Sequence, residues 1–218
     1  MNESVIVLGI GFLAQAFFSA RILVQWILSE KAKEVLSPSI FWILSIAGSY
    51  LLCLYGWFRE DFSIILGQFI SYYIYIWNLK EKGIWTKIYG IAKVILIATP
   101  VVALLFMLKD ASAFIDDFLR NEEVPLWLLI FGSAGQVIFT LRFVYQWFYS
   151  HHKKESLLPA GFWIISLAGS LTIVTYAIIR LDPVLILGQS FGVVAYVRNL
   201  CIGYKHAHDI KEPIAKRQ

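Results

Sequence analysis

Residues 21–26 read Arg-Ile-Leu-Val-Gln-Trp, and 121 positions later residues 142–147 read Arg-Phe-Val-Tyr-Gln-Trp. The match extends outward without a gap. Pro38-x-x-Phe41-Trp42 returns as Pro159-x-x-Phe162-Trp163, and Ser45-x-Ala47-Gly48-Ser49 as Ser166-x-Ala168-Gly169-Ser170. Gly67-Gln68 returns as Gly188-Gln189, and Asn78-Leu79 as Asn199-Leu200. Of the 69 positions from Gly11 to Leu79, 28 are identical in the partner segment. Many of these are polar, which shared composition alone does not produce. A period of this kind makes each copy one supersecondary unit.

The repeated unit is apolar. The 218-residue chain is 59% hydrophobic, 16% aromatic and 16% charged, with a mean hydropathy of +0.68. A soluble domain carries about 25% charged residues. The composition excludes a disordered chain, a nucleic-acid-binding surface and an ordinary cytosolic enzyme, and it points to a multi-pass membrane protein. A spanning helix needs roughly 20 apolar residues. Seven such segments stand at about 4–28, 38–58, 62–79, 86–108, 125–149, 159–179 and 183–204, separated by short charged or proline-bearing breaks. Backbone polar groups in hydrocarbon must be paired within the segment, so these spans are expected to be helices. Little length remains for a soluble catalytic domain. The Met-Asn-Glu-Ser start lacks a basic n-region, so the first segment is expected to stay as a span.

The expected fold is all-α: a seven-helix membrane protein built from two parallel three-helix repeats and a linker helix, in 3+1+3 order. Residues 1–84 hold the first repeat, 85–122 the linker helix and an external loop, 123–206 the second repeat and 207–218 a tail. Three spans invert the chain and the fourth restores its direction. The repeats are then related by a pseudo-two-fold axis along the membrane normal, with a ligand site expected where they meet. One side of the membrane holds Arg59, Lys109, Arg120 and Arg180; the other holds eleven Lys and Arg residues, among them Lys31, Lys80, Lys153 and Lys205. The positive-inside rule places the N-terminus outside and the C-terminus in the cytoplasm.

Polar residues within the apolar segments are the candidate site. Arg21 lies about 12 Å inside its span at ~1.5 Å per residue, and Arg142 repeats it. An intramembrane arginine costs at least ~2.5 kcal/mol at a helix centre, less near the interface. Gln25 and Gln146 follow one turn on. Two guanidiniums facing one another would share an anion well, since an arginine fork matches phosphate oxygens. The alternative is snorkelling to headgroups or bonding to a neighbouring helix. Gln68, Tyr75 and Asn78, matched by Gln189, Tyr196 and Asn199, share one broad helix face. They suit a sugar or headgroup, or else interhelical hydrogen bonds. Pro38 and Pro159 open a second span, as a first-turn proline or as a hinge. Ser45, Ala47, Gly48, Ser49 and their copies form a face for close helix packing. Arg198 has Trp77 at the equivalent position. The tryptophans stand mostly near span ends, as interfacial anchors do.

No nucleophile–base set, paired catalytic carboxylates or phosphate-cradling glycine loop is visible. There is no metal-ligand spacing, and no cofactor is expected. Cys53 and Cys201 read as buried free thiols.

Taken in order, Gln15-x-x-Phe18-x-x-Arg21-x-x-x-Gln25-Trp26, Pro38-x-x-Phe41-Trp42, Ser45-x-x-Gly48, Gly67-Gln68 and Tyr75-x-x-Asn78-Leu79 resemble the lipid-A biosynthesis N-terminal domain family. Here the pattern occurs twice, over about 4–80 and 125–204. In some lipid-A-disaccharide synthases this small membrane domain precedes the glycosyltransferase domain, which has no counterpart in this chain. The resemblance implies a link to lipid A or related envelope glycolipids, and a bacterial inner membrane. The 3+1+3 layout is also similar to the SWEET sugar transporters of the PQ-loop superfamily, but no Pro-Gln dipeptide stands beside Pro38 or Pro159.

The reading that follows is a transporter or flippase for an anionic glycolipid or lipid-linked sugar. Arg21 and Arg142 would hold phosphate, and Gln25, Gln68, Asn78, Gln146, Gln189 and Asn199 the polar head. The alternatives are a SWEET-like facilitator for a small neutral sugar, and a non-catalytic scaffold for a glycosyltransferase. Expected partners are a membrane lipid or lipid-linked saccharide and a glycosyltransferase, with no nucleic acid; a homo-oligomer is compatible with each reading.

Overall fold

A computed structural model of the chain describes residues 2–58, 62–107, 125–181 and 183–215. Among them all regular structure is helical. Seven α-helices follow in order: α1 (Asn2–Ala32), α2 (Ser39–Phe58), α3 (Phe62–Glu81), α4 (Gly90–Met107), α5 (Leu126–Lys153), α6 (Ala160–Ile179) and α7 (Pro183–Ala215), with a 3-10 turn at Trp85–Lys87 before α4. Each expected apolar segment is one helix. The breaks at 59–61 and 182, the acidic stretch 109–123 and the end of the tail lie outside the described residues.

The ends of the helices follow from local chemistry. Pro159 caps α6 with extended backbone, φ −70° and ψ 163°, and Pro38 stands in the same place before α2. Proline has no N–H to lose in a first helical turn. Beyond α1 and α5 the chain turns at Lys33 and Lys154, which both adopt left-handed backbone at φ 59° and 54°. These are equivalent residues of the two repeats. After α3, Gly83 at φ 68° donates to the Lys80 carbonyl at 2.9 Å, and Ile84 donates to that of Leu79 at 3.0 Å. This paired closure of a helix end uses glycine's freedom at positive φ. It leads into the 3-10 turn, so α4 begins at Gly90 rather than near residue 86.

Gly9–Ala32, Leu126–Lys153 and Ala160–Ile179 are long and apolar enough to cross a membrane, and Ser39–Tyr55 and Gly90–Phe106 are apolar but shorter. Phe12, Ile91, Phe106, Phe148 and Ile164 are exposed. Such a surface suits lipid better than water.

The chain divides into two compact units, one of Met1–Arg21 and Ser39–Leu129, the other of Ile22–Pro38 and Ile130–Gln218. In the first, α1 lies close against α2: a Cβ on Gly48 would stand 3.0 Å from the Phe18 ring and 3.1 Å from the Ala14 carbonyl oxygen. In the second, a Cβ on Gly169 would stand 2.7 Å from the backbone nitrogen of Phe139. The small-residue face thus permits close backbone approach in each unit. Two sequence expectations change. Trp42 and Trp163 are fully buried, because each packs on a tyrosine ring, Tyr75 at 6.1 Å and Tyr196 at 5.9 Å. Cys53 is buried, but Cys201 is exposed; two residues beyond buried Asn199, it falls on the opposite face of α7.

Candidate functional site: two caged guanidiniums

Arg21 and Arg142 are buried, at 5% and 4% exposure. In the first unit, Arg21 Nη1 donates to Ser45 Oγ at 3.0 Å and to the Tyr75 hydroxyl at 3.2 Å. Ser45 Oγ in turn donates to the Phe41 carbonyl at 2.6 Å, so its lone pairs face the guanidinium. The rings of Phe18, Phe41 and Tyr75 stand 4.6, 5.5 and 5.6 Å from Arg21 Cζ. In the second unit, Arg142 Nη1 donates to the Tyr196 hydroxyl at 3.2 Å. The rings of Phe139, Phe143, Phe162 and Tyr196 stand 3.4 to 5.9 Å from its Cζ. The cages are built from equivalent residues: Phe18 and Phe139, Phe41 and Phe162, Tyr75 and Tyr196.

Hydrogen bonds to a charged donor contribute about 1.5–3 kcal/mol each, and a desolvated cation over an aromatic face about 2 kcal/mol. Together these offset the cost of an arginine in an apolar core. The surrounding helices supply few acids: α2, α5 and α6 contain none, and α3 has only Glu81 as its last residue. In a low-dielectric setting a guanidinium attracts an anion more strongly than it does in water.

The glutamines one turn on do something the sequence did not reveal. Gln25 Nε2 shares one N–H between Ser29 Oγ at 2.9 Å and the Leu36 carbonyl at 3.2 Å, while Leu36 N–H donates to Ser29 Oγ at 3.0 Å. Gln146, Ser150 and Leu157 repeat this clamp at 2.9, 2.9 and 3.0 Å. Both backbone groups of the leucine are pinned, which fixes the turn leading to Pro38 or Pro159. Gln25 also forms a reciprocal amide pair with Asn199: Gln25 Nε2 donates to Oδ1 at 2.8 Å, and Asn199 Nδ2 donates to Oε1 at 3.1 Å. Both residues are fully buried.

Of the other expected site residues, Gln68 accepts from Ser49 at 3.0 Å and Gln189 from Ser170 at 2.6 Å. These tie α3 to α2 and α7 to α6. Asn78 and Asn199 each donate to their own helix one turn back, at the Ile74 and Ala195 carbonyls, both at 2.9 Å. The structure therefore joins Tyr75 to Arg21, Tyr196 to Arg142 and Gln25 to Asn199, while Gln68 and Gln189 bond elsewhere. Pro38 and Pro159 are half-buried at helix starts. Arg198 has a partner: it grips the Glu30 carboxylate through Nε at 2.9 Å and through Nη2. Ser29, Ser150 and the caging phenylalanines escaped the sequence reading of the site. Their signal was the repeat itself, which keeps Ser29 as Ser150 and Phe18 as Phe139.

Comparison with known proteins agrees with the duplication. The Lipid A Biosynthesis N-terminal domain profile matches residues 10–80 and again 131–201. The chain is 34% identical over 202 residues to a lipid-A-disaccharide synthase of Chlamydia pneumoniae, covering 90% of this chain and 33% of that protein. It is 31% identical over 216 residues to that of Chlamydia muridarum, covering 94% and 35%, and 31% identical over 206 residues to that of Chlamydia caviae, covering 90% and 33%. The chain thus spans about a third of the length of these relatives. No solved structure matches it. The two profile matches take in more than half of the sequence, and the chain belongs to the Lipid A Biosynthesis N-terminal domain family, whose domain it carries twice.

Proposed function

We propose that this protein is a transporter or flippase for an anionic glycolipid, a lipid-linked sugar phosphate or lipid A intermediate, in a bacterial inner membrane. One observation carries the reading: a buried guanidinium, hydrogen-bonded to a tyrosine hydroxyl and ringed by aromatic side chains, stands at the same place in both repeats. Phosphate oxygens are the natural anion for an arginine fork, and the family and its synthase relatives concern lipid A. Gln25, Gln68, Asn78, Gln146, Gln189 and Asn199 would supply amides toward the sugar, with Pro38 and Pro159 as hinges. The seven helices would all span the bilayer in 3+1+3 order, with the N-terminus outside and each repeat starting on the same side. Flux would be facilitated or ion-coupled.

The test is reconstitution with fluorescent lipid-linked sugars. Arg21→Lys with Arg142→Lys keeps the charge but loses the fork; Arg21→Ala with Arg142→Ala loses both. The proposal expects flux to fall in both, further in the second. Parent-rate flux in a folded double alanine variant would refute the phosphate clamp.

A second reading rests on a different observation. The synthase relatives are about three times as long as the matched segment, so in them the domain accompanies other structure. On that reading the chain is a membrane scaffold for a glycosyltransferase. Co-purification with such an enzyme, without flux, would favour it. A SWEET-like facilitator would instead move neutral monosaccharides, uninhibited by anionic lipid.

A further inference from the structure

The last turns of α1 and the chain after it belong to the second compact unit. There they are tied down by polar contacts at four successive points. Deepest is the buried Gln25–Asn199 amide pair, at 2.8 and 3.1 Å. Next comes the two-pronged Glu30–Arg198 ion pair, whose side chains are 42% and 44% exposed. Then Glu34 meets His206 Nε2 at 3.6 Å, and Ser37 Oγ meets Ser156 Oγ at 3.2 Å. Trp26 lies along the same seam, its ring 6.5 Å from that of Phe191.

Two features separate this seam from ordinary helix packing. Its polar contacts are exchangeable: each of these groups finds an equivalent partner in water once the seam opens. And the ion pair is peculiar to one half of the duplication. The repeat equivalents of Glu30 and Arg198 are His151 and Trp77, so both partners differ together from their copies. Around them the framework is kept, with Gln25 as Gln146, Ser29 as Ser150 and Asn199 as Asn78. A pair that changes jointly on a preserved framework marks a device specific to this seam.

We propose that residues 25–37 form a clasp over α7, with the amide pair as its pivot and the Glu30–Arg198 pair as a solvent-accessible catch that opens and recloses. The clasp deepens the transport reading and rests on it for its role: release would be the step that admits or frees a headgroup. Salt should weaken the catch, because an exposed ion pair is screened at physiological ionic strength and above.

The experiment reads opening directly, apart from flux. Spin labels are placed at exposed positions on either side of the seam, Lys31→Cys and Lys205→Cys, in a Cys53→Ser, Cys201→Ser background in nanodiscs. Pulsed electron–electron distances are then recorded at low and high sodium chloride. The clasp predicts one short distance at low salt and a growing longer component as salt rises. It predicts that Glu30→Gln populates the longer component at all salt concentrations, and that the exchange Glu30→Arg with Arg198→Glu restores the short one. An unchanged distance distribution in Glu30→Gln and with salt overturns the clasp. Opening in Glu30→Gln with flux at the parent rate overturns its gating role. If the parent carries no flux at all, the transport reading fails, and the distance data alone decide whether the clasp exists.

Discussion

Arg21 hydrogen-bonds two hydroxyls and Arg142 a tyrosine, and aromatic rings close the space around both. The tyrosines are the sharpest probes of this arrangement, because Tyr75→Phe and Tyr196→Phe each remove one oxygen and keep the ring. Each variant should lose about 1.5–3 kcal/mol, the contribution of a hydrogen bond to a charged group, read as a shift in detergent-denaturation midpoint. Loss below a few tenths of a kcal/mol would show that the hydroxyls do not hold the cation. The arginines were legible in sequence, since a charge within an apolar run stands out and its recurrence at 121 residues stands out more. Their cages were not. Phe18, Phe41 and Phe162 look like any apolar core residue until the helices are packed. Ser45 looked like a small residue for close packing, yet its hydroxyl accepts from Arg21.

At the scale of elements, the clamp made by Gln146, Ser150 and Leu157 shows why a helix, a short turn and a proline recur as one block. Ser150 Oγ accepts from Leu157 N–H at 3.0 Å and from Gln146 Nε2 at 2.9 Å. Ser150→Ala leaves both donors short of an acceptor in a buried setting, which costs about 1–3 kcal/mol. The variant should show faster amide exchange over residues 154–158; exchange at the parent rate would mean the turn is held by other contacts. Helix positions were readable from the apolar runs: each of the seven expected segments is a helix, and most ends fall within a few residues of expectation. The exceptions have local causes. Gly83 at positive φ and the 3-10 turn after it delay α4. Polar last turns carry α1 to Ala32, α5 to Lys153 and α7 to Ala215, past the hydrophobic runs, because backbone hydrogen bonding continues where hydropathy stops. The Glu30–Arg198 pair was hidden for another reason: 168 residues separate its members, and no periodicity links them.

At the scale of the molecule, the duplication and the bias of basic residues make a topological claim. On the proposed topology seven spans would put the termini on opposite sides, with the C-terminus in the cytoplasm. A fluorescent protein fused after Gln218 should therefore fluoresce in bacteria, while alkaline phosphatase fused there should be inactive. The reverse pattern would contradict the orientation. Three helices meet the length and apolarity of a span outright, and the account asks the same of the other four.

The central claim is that the twin guanidiniums receive an anionic headgroup, and lipid mass spectrometry of the purified protein addresses it most directly. The account predicts that a phosphate-bearing glycolipid copurifies with the parent and is depleted at least tenfold from folded Arg21→Ala, Arg142→Ala protein. The same lipid complement in both, or neutral lipids alone in the parent, would contradict it.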